Sequence, residues 1–145
     1  MKPGKIRPLA ICVFRHEGRI LAAEGFDPTK KQTFYRPLGG RIEFGEYGHQ
    51  TIARELQEEV KLDVTSVRYL GTLENIFTYD GKPGHEIVLV YDGAFVDHSV
   101  YDAAVIEGYE VDDELLFKAY WKPLEFFKDG KNPLYPNGLV EMLTK

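Results

Sequence analysis

Three of the six residues from Arg54 to Glu59 are glutamates: Glu55, Glu58 and Glu59. The apolar spacing of residues 47–60 predicts a helix, on which like charges one turn apart repel by about 0.2–0.5 kcal/mol per pair. Glu58 and Glu59 also approach the helix C-terminus, where the macrodipole disfavours each by about 0.3–1 kcal/mol. At about 100° per residue, with Ile52 at 0°, Leu56 falls near 40°, Val60 near 80° and Ala53 near 100°. Glu58, Glu55 and Glu59 fall near 240°, 300° and 340°, along the seam between helix and body. A solvated acidic face is the ordinary alternative, but a seam is a poor place for one. A divalent cation reverses the sign of every repulsive contribution, and carboxylate oxygens suit Mg²⁺ or Mn²⁺.

Upstream lies RPLGGRIEFGE. Gly39 and Gly40 predict a tight turn that brings backbone carbonyls and amides close to a ligand. A phosphate-cradling P-loop would need Lys-Ser or Lys-Thr after its last glycine, whereas Gly45 is followed by Glu46 and Tyr47. His85-Glu86 lacks the second histidine of H-E-x-x-H, which removes a zinc protease.

The elements that must position these residues follow from patterning. Residues 6–14 and 19–24 read as strands around a turn at 15–18, and TFYR as a short strand. Further strands are predicted at 64–72, 74–79, 86–96 and 115–121, with a turn at 78–84. NGLVEML reads as a short helix with Asn137 as its N-cap. One long helix among many strands predicts an α/β or α+β domain with a mixed sheet. A length of 145 residues suits one domain, 1–145. The net charge of −5 argues against a broad nucleic-acid-binding surface. Apolar runs are too short for a membrane span, and the N-terminus lacks a signal-peptide pattern. The single cysteine, Cys12, excludes an internal disulfide, fits a reducing cytoplasm and reads as a core residue.

The combined stretch, residues 40–62, resembles the Nudix box of the Nudix hydrolase (MutT-like) family. Gly40, five residues, Glu46, seven residues and then Arg54-Glu55-Leu56-Gln57-Glu58-Glu59-Val60-Lys61-Leu62 match every defined position except the family's second glycine, here Lys61. The resemblance implies an α/β/α sandwich with a mixed sheet. It implies a Mg²⁺ or Mn²⁺ site built from Glu55, Glu58, Glu59 and the Gly39 carbonyl. Arg54 is expected to hold the neighbouring glutamates, and Glu46 to tie the loop to the helix. Catalytic roles then fall to Glu55, Arg54 and Glu58, with Glu55 one of several candidates for general base. The implied reaction is hydrolysis of a phosphoanhydride in a nucleoside diphosphate linked to another group. A nucleotide-sensing domain without catalysis is the alternative, although such domains usually lose box glutamates. Homodimerisation stays open.

An additional metal-binding acid often comes from a downstream segment in this family. Residues 97–114 supply Asp97, Asp102, Glu107, Glu110, Asp112, Asp113 and Glu114, of which Glu110 and Glu114 are preferred. Arg36, Tyr35, Tyr79, Phe26 and His85 are candidates for contacts to a base or phosphate. Lys61, at the position of the missing glycine, implies either a left-handed residue at the helix end or another exit.

Overall fold

Along β1 (Arg7–His16), Ala10, Cys12 and Phe14 point to one side and Ile11 and Val13 to the other, and all five are buried. A strand buried on both faces must lie in a sheet covered on both sides. The computed structural model, which describes residues 4–111 and 113–145, shows this arrangement.

β1 is followed by β2 (Arg19–Asp27), β3 (Gln32–Arg36), β4 (Leu38–Arg41) and α1 (Gly48–Val60). Then come β5 (Val64–Tyr79), β6 (Lys82–Phe95), β7 (Ile106–Glu110), β8 (Leu115–Pro123) and α2 (Leu139–Leu143). The strands lie in the order β5-β6-β1-β2-β8-β7, with β3 on β2 and β4 on β1. β1 and β6 run parallel and the other pairs antiparallel, so the sheet is mixed. Phe14, Leu21, Leu38, Phe95 and Trp121 pack on one face with Ile52 and Leu56 of α1. Val13, Ile20, Tyr35, Val88 and Val90 pack on the other with Phe127, Leu134 and Leu139. The result is the expected α/β/α sandwich. Cys12 is a core residue, its thiol pushed well above the usual range by burial. Among the described residues no helix is long and apolar enough to cross a membrane.

Four expectations change. Gly39 and Gly40 do not make a turn; they lie in β4, opposite Ile11 and Ala10. A four-residue strand is too short to show alternation, and the glycines serve close approach instead: a Cβ on Gly39 would stand 2.1 Å from the Ala10 carbonyl oxygen. The two strands expected at 64–72 and 74–79 are one 16-residue strand, with register shifts between Thr65 and Arg68 and between Tyr69 and Gly71. The acidic stretch 97–114 contains β7, paired with β8, where no strand was expected. At α2 the N-cap is Gly138, at φ 91°, rather than Asn137. Asn137 instead donates its backbone N–H to Asn75 Oδ1 at 3.0 Å and its side-chain amide to the Ile76 carbonyl at 3.4 Å.

Candidate active site

Helix α1 begins one residue later than its pattern suggested. Tyr47 is the N-cap, and its backbone N–H donates to Gln50 Oε1 at 2.8 Å. The buried residues of α1 are Gly48, Thr51, Ile52, Glu55 and Leu56, whereas Ala53 is exposed. The buried arc is therefore rotated toward the acids relative to the expected one. Glu55 lies inside it, Glu59 is half-buried at its margin and Glu58 is exposed. The helix ends at Lys61, which is left-handed at φ 59°, ψ 36°. The Lys61 ammonium donates to the Glu58 carbonyl at 3.0 Å, satisfying a terminal acceptor that a glycine would leave to water.

Gly40 provides the seat for Glu55. A Cβ added to Gly40 would stand 2.4 Å from the Glu55 carboxyl carbon and 2.6 Å from both of its oxygens. Only a bare backbone lets α1 bring this carboxylate against β4.

Arg54 organises the other side. Its Nε donates to Glu46 Oε2 at 2.8 Å and its Nη2 to Glu46 Oε1 at 3.0 Å, a two-pronged grip. Nη1 donates to Glu55 Oε1 at 2.8 Å and to Glu58 Oε2 at 3.4 Å, and Nη2 also donates to the Arg41 carbonyl at 2.9 Å. Glu46 further accepts from the Thr51 hydroxyl at 2.6 Å and from the Glu43 amide at 3.2 Å. These bonds, Arg54's first among them, hold the Glu46 carboxyl down at about 2. Glu46 is thus saturated by the protein and ties the β4–α1 loop to the helix. Thr51 was not singled out from the sequence; its signal was a hydroxyl on the buried face, one turn before Glu55.

Glu59 has the opposite environment. Burial pushes its carboxyl up to about 9, with the charges of Glu55 and Glu110 adding to the shift and Arg36 opposing it. Glu59 also shares a hydrogen bond with Glu55. Glu110, at the end of β7, is ion-paired with Arg36 at the end of β3. Of the downstream acids, the structure therefore brings Glu110 to the helix acids. Glu114 is exposed in the β7–β8 turn, and Asp112 lies outside the described residues.

The remaining expected contacts divide by face. Arg36 pairs with Ala23 and shares the α1 face with it. Tyr35 does not join the site. Strand alternation turns it to the opposite face, where it is buried against Phe126 and Phe127 and donates its hydroxyl to Glu24 at 2.8 Å. Tyr79 ends β5, with its hydroxyl on the Phe26 carbonyl at 3.3 Å and its ring edge-on to Phe34. Phe26 is exposed beside it, and His85 lies on β6 opposite Ile76.

The donor set fits a hard divalent cation. Glu55 and Glu59 share a hydrogen bond, which requires a proton on one of them, while Arg54 bonds Glu55 and the Arg36 charge acts on Glu59. Among the described residues no three His, Cys, Asp or Glu side chains already converge as a cage. Arg54 draws Glu58 aside, and the Glu58 side chain is 47% exposed.

A mixed sheet between helices, with an arginine-braced row of acids over a glycine strand, defines a Nudix-type sandwich. A family model for the NUDIX domain matches residues 5–135, and the chain belongs to the Nudix hydrolase family. It is similar to the MutT NUDIX hydrolase of Burkholderia pseudomallei at TM-score 0.63 and 18% identity, over 95% of each chain. A NUDIX hydrolase from Nitrosomonas europaea gives TM-score 0.64 at 16% identity, over 97% of this chain and 87% of that one. Identities this low establish the fold alone. In sequence, the NAD-capped RNA hydrolase NudC of Vibrio atlanticus is 37% identical over 68 residues, 47% of this chain and 24% of that protein. NudC of Mycobacterium tuberculosis is 35% identical over 68 residues, 47% of this chain and 21% of that protein. The matched stretch is thus about a quarter of these relatives' length.

Proposed function

We propose that this protein is a Mg²⁺- or Mn²⁺-dependent pyrophosphohydrolase that cleaves the phosphoanhydride of a nucleoside diphosphate linked to another group. Nucleoside triphosphates, nucleotide sugars and dinucleoside polyphosphates all have this chemistry. The observation that carries the reading is the Glu55 carboxylate seated on Gly40 and bonded to Glu59, with Arg54 gripping Glu46 and Glu55 beside it. The family supports hydrolysis of pyrophosphate bonds, and the relatives named for NAD-capped RNA act on a molecule whose NAD contains one.

Glu55, Glu58 and Glu59, with the Gly39 carbonyl, would hold the cation. Bound there, it supplies charge neutralisation for diphosphate oxygens and a water of lowered pKa. The chain does the positioning on which in-line attack at phosphorus depends. Gly40 fixes the height of the Glu55 carboxylate, and Arg54 fixes its rotation through the Nη1 bond. Glu46 holds Arg54 by two bonds, so the guanidinium cannot turn without breaking both. Glu55 or Glu58 accepts the proton of the attacking water, Glu58 from the solvent side. Arg36 is placed to meet a substrate phosphate.

Incubation with a panel of nucleoside diphosphate derivatives and Mg²⁺ or Mn²⁺ tests the reading. Two phosphorylated products from at least one compound are expected, with the reaction abolished by chelation. Turnover that persists unchanged after chelation would contradict it.

A further inference from the structure

Glu110 stands between charges of opposite sign. It is ion-paired with the Arg36 guanidinium, and β7 packs against α1, so that its charge also acts on Glu59, itself bonded to Glu55. The Glu110 side chain is largely covered, at 15% exposure, while Arg36 remains 49% exposed. Arg54 cannot serve Glu110 as well, because its donors are taken by Glu46, Glu55, Glu58 and the Arg41 carbonyl. Arg36, not Arg54, is the arginine ion-paired with the end of β7.

We infer that Glu110 exchanges partners: a divalent cation on Glu55 and Glu59 draws Glu110 away from Arg36, and the released guanidinium grips a phosphate of the diphosphate substrate. The inference rests on the cation-site reading above. A doubly charged ion beside Glu59 outweighs a half-solvated guanidinium for the same carboxylate. Once released, the planar fork of Arg36 presents paired N–H donors toward solvent on the α1 face, a geometry that suits phosphate oxygens. Cation and diphosphate then bind cooperatively through the chain as well as by direct contact, and the coupling is reciprocal. In the cation-free protein Arg36 is latched, and a diphosphate must first break its pair with Glu110.

Two binding measurements without turnover test this. Mn²⁺ titration of the unaltered protein, followed by electron spin resonance, establishes the cation site; if no Mn²⁺ binds, the cation-site reading itself fails. Inorganic pyrophosphate is then titrated calorimetrically into cation-free protein in chelator. Glu110→Ala should bind pyrophosphate about fivefold more tightly than the unaltered protein, as expected for loss of a partly exposed ion pair. Glu110→Gln, which keeps the shape of the strand end, should shift the same way by less. Neither change should appear in an Arg36→Met background, where nothing is left to release. If Mn²⁺ binds but Glu110→Ala brings no gain, or the gain survives in Arg36→Met, the exchange is overturned and Glu110 acts only through its field.

Discussion

Two arginine–carboxylate clusters lie on opposite faces of the sheet, and they are built to different rules. On the C-terminal helix face, Arg7 Nη2 donates to Glu86 Oε2 at 3.0 Å and Asn75 Nδ2 to Glu86 Oε1 at 3.3 Å. The chain closes with the Asn137 backbone N–H on Asn75 Oδ1 at 3.0 Å. One positive charge meets one negative charge and the Asn75 and Asn137 amides extend the chain, while the buried Arg7 Nε has no hydrogen-bond partner among the described residues. On the α1 face, Arg54 serves Glu46, Glu55 and Glu58, and Glu59 follows with its carboxyl pushed up by burial in spite of the Arg36 charge. Burial does not separate the two, since Glu55 and Glu86 are both buried. Charge balance does. The balanced cluster pins the α2 approach to the sheet, and the unbalanced one is poised for an added cation.

Changes that disturb the unbalanced cluster should damage activity most. Arg54→Lys keeps the charge but loses the fork on Glu46, so Glu55 and Glu58 lose their alignment. Turnover should fall by about 100-fold or more, with near-native circular dichroism; near-native turnover would show that charge alone suffices.

Glu59→Gln should raise the metal requirement and cut turnover strongly, and it also carries a stability signature. In the cation-free fold the Glu59 carboxyl is held up at about 9, above its unfolded value. The folded state therefore binds the extra proton between pH 4.5 and 9, and stability from this group is lost as pH rises through that window. Glutamine removes the slope. Denaturant midpoints in chelator should converge for the two proteins below pH 5 and favour Glu59→Gln near pH 9.

The balanced cluster should behave in the opposite way. Glu86→Ala leaves Arg7 and Asn75 without their acceptor and should cost about 1–3 kcal/mol of stability. Activity per folded molecule should stay near native. A strong loss of turnover at full folding would erase the distinction between the clusters.

The smallest effect is expected at Lys61. Its left-handed φ makes glycine sterically favourable, while glycine forfeits the Glu58 carbonyl bond and loosens the unfolded chain. Lys61→Gly should raise stability by up to about 1 kcal/mol, read as a higher urea midpoint at unchanged slope, with activity unaltered.

The sequence made the helix, its acids and its arginine legible because charge crowding at helical spacing has few explanations. It concealed what depends on partners distant in the chain. Gly39 and Gly40 read as a turn because four residues show no period; the reason for glycine lies in Ala10 and Glu55, which pack against them. The alternation Ile106-Glu107-Gly108-Tyr109-Glu110 was present, but its acidic setting masked β7, and the pairing with β8 makes it a strand. Tyr35 and Arg36 are neighbours in sequence and opposites in space, as the period of a strand requires. The helical wheel placed Ala53 on the buried side because it weighed apolarity alone. Gly40 leaves room for Glu55, and that contact rotates the buried arc toward the acids.

The central claim is that the acids of α1 form a cation site whose occupancy displaces a proton. Calorimetric titration of Mn²⁺ at pH 7.5, repeated in buffers of different ionisation enthalpy, tests it most directly. Saturable binding with release of a proton is expected for the unaltered protein, with weaker binding and no such release for Glu59→Gln. Equal affinity and equal proton release in the two proteins would contradict the account.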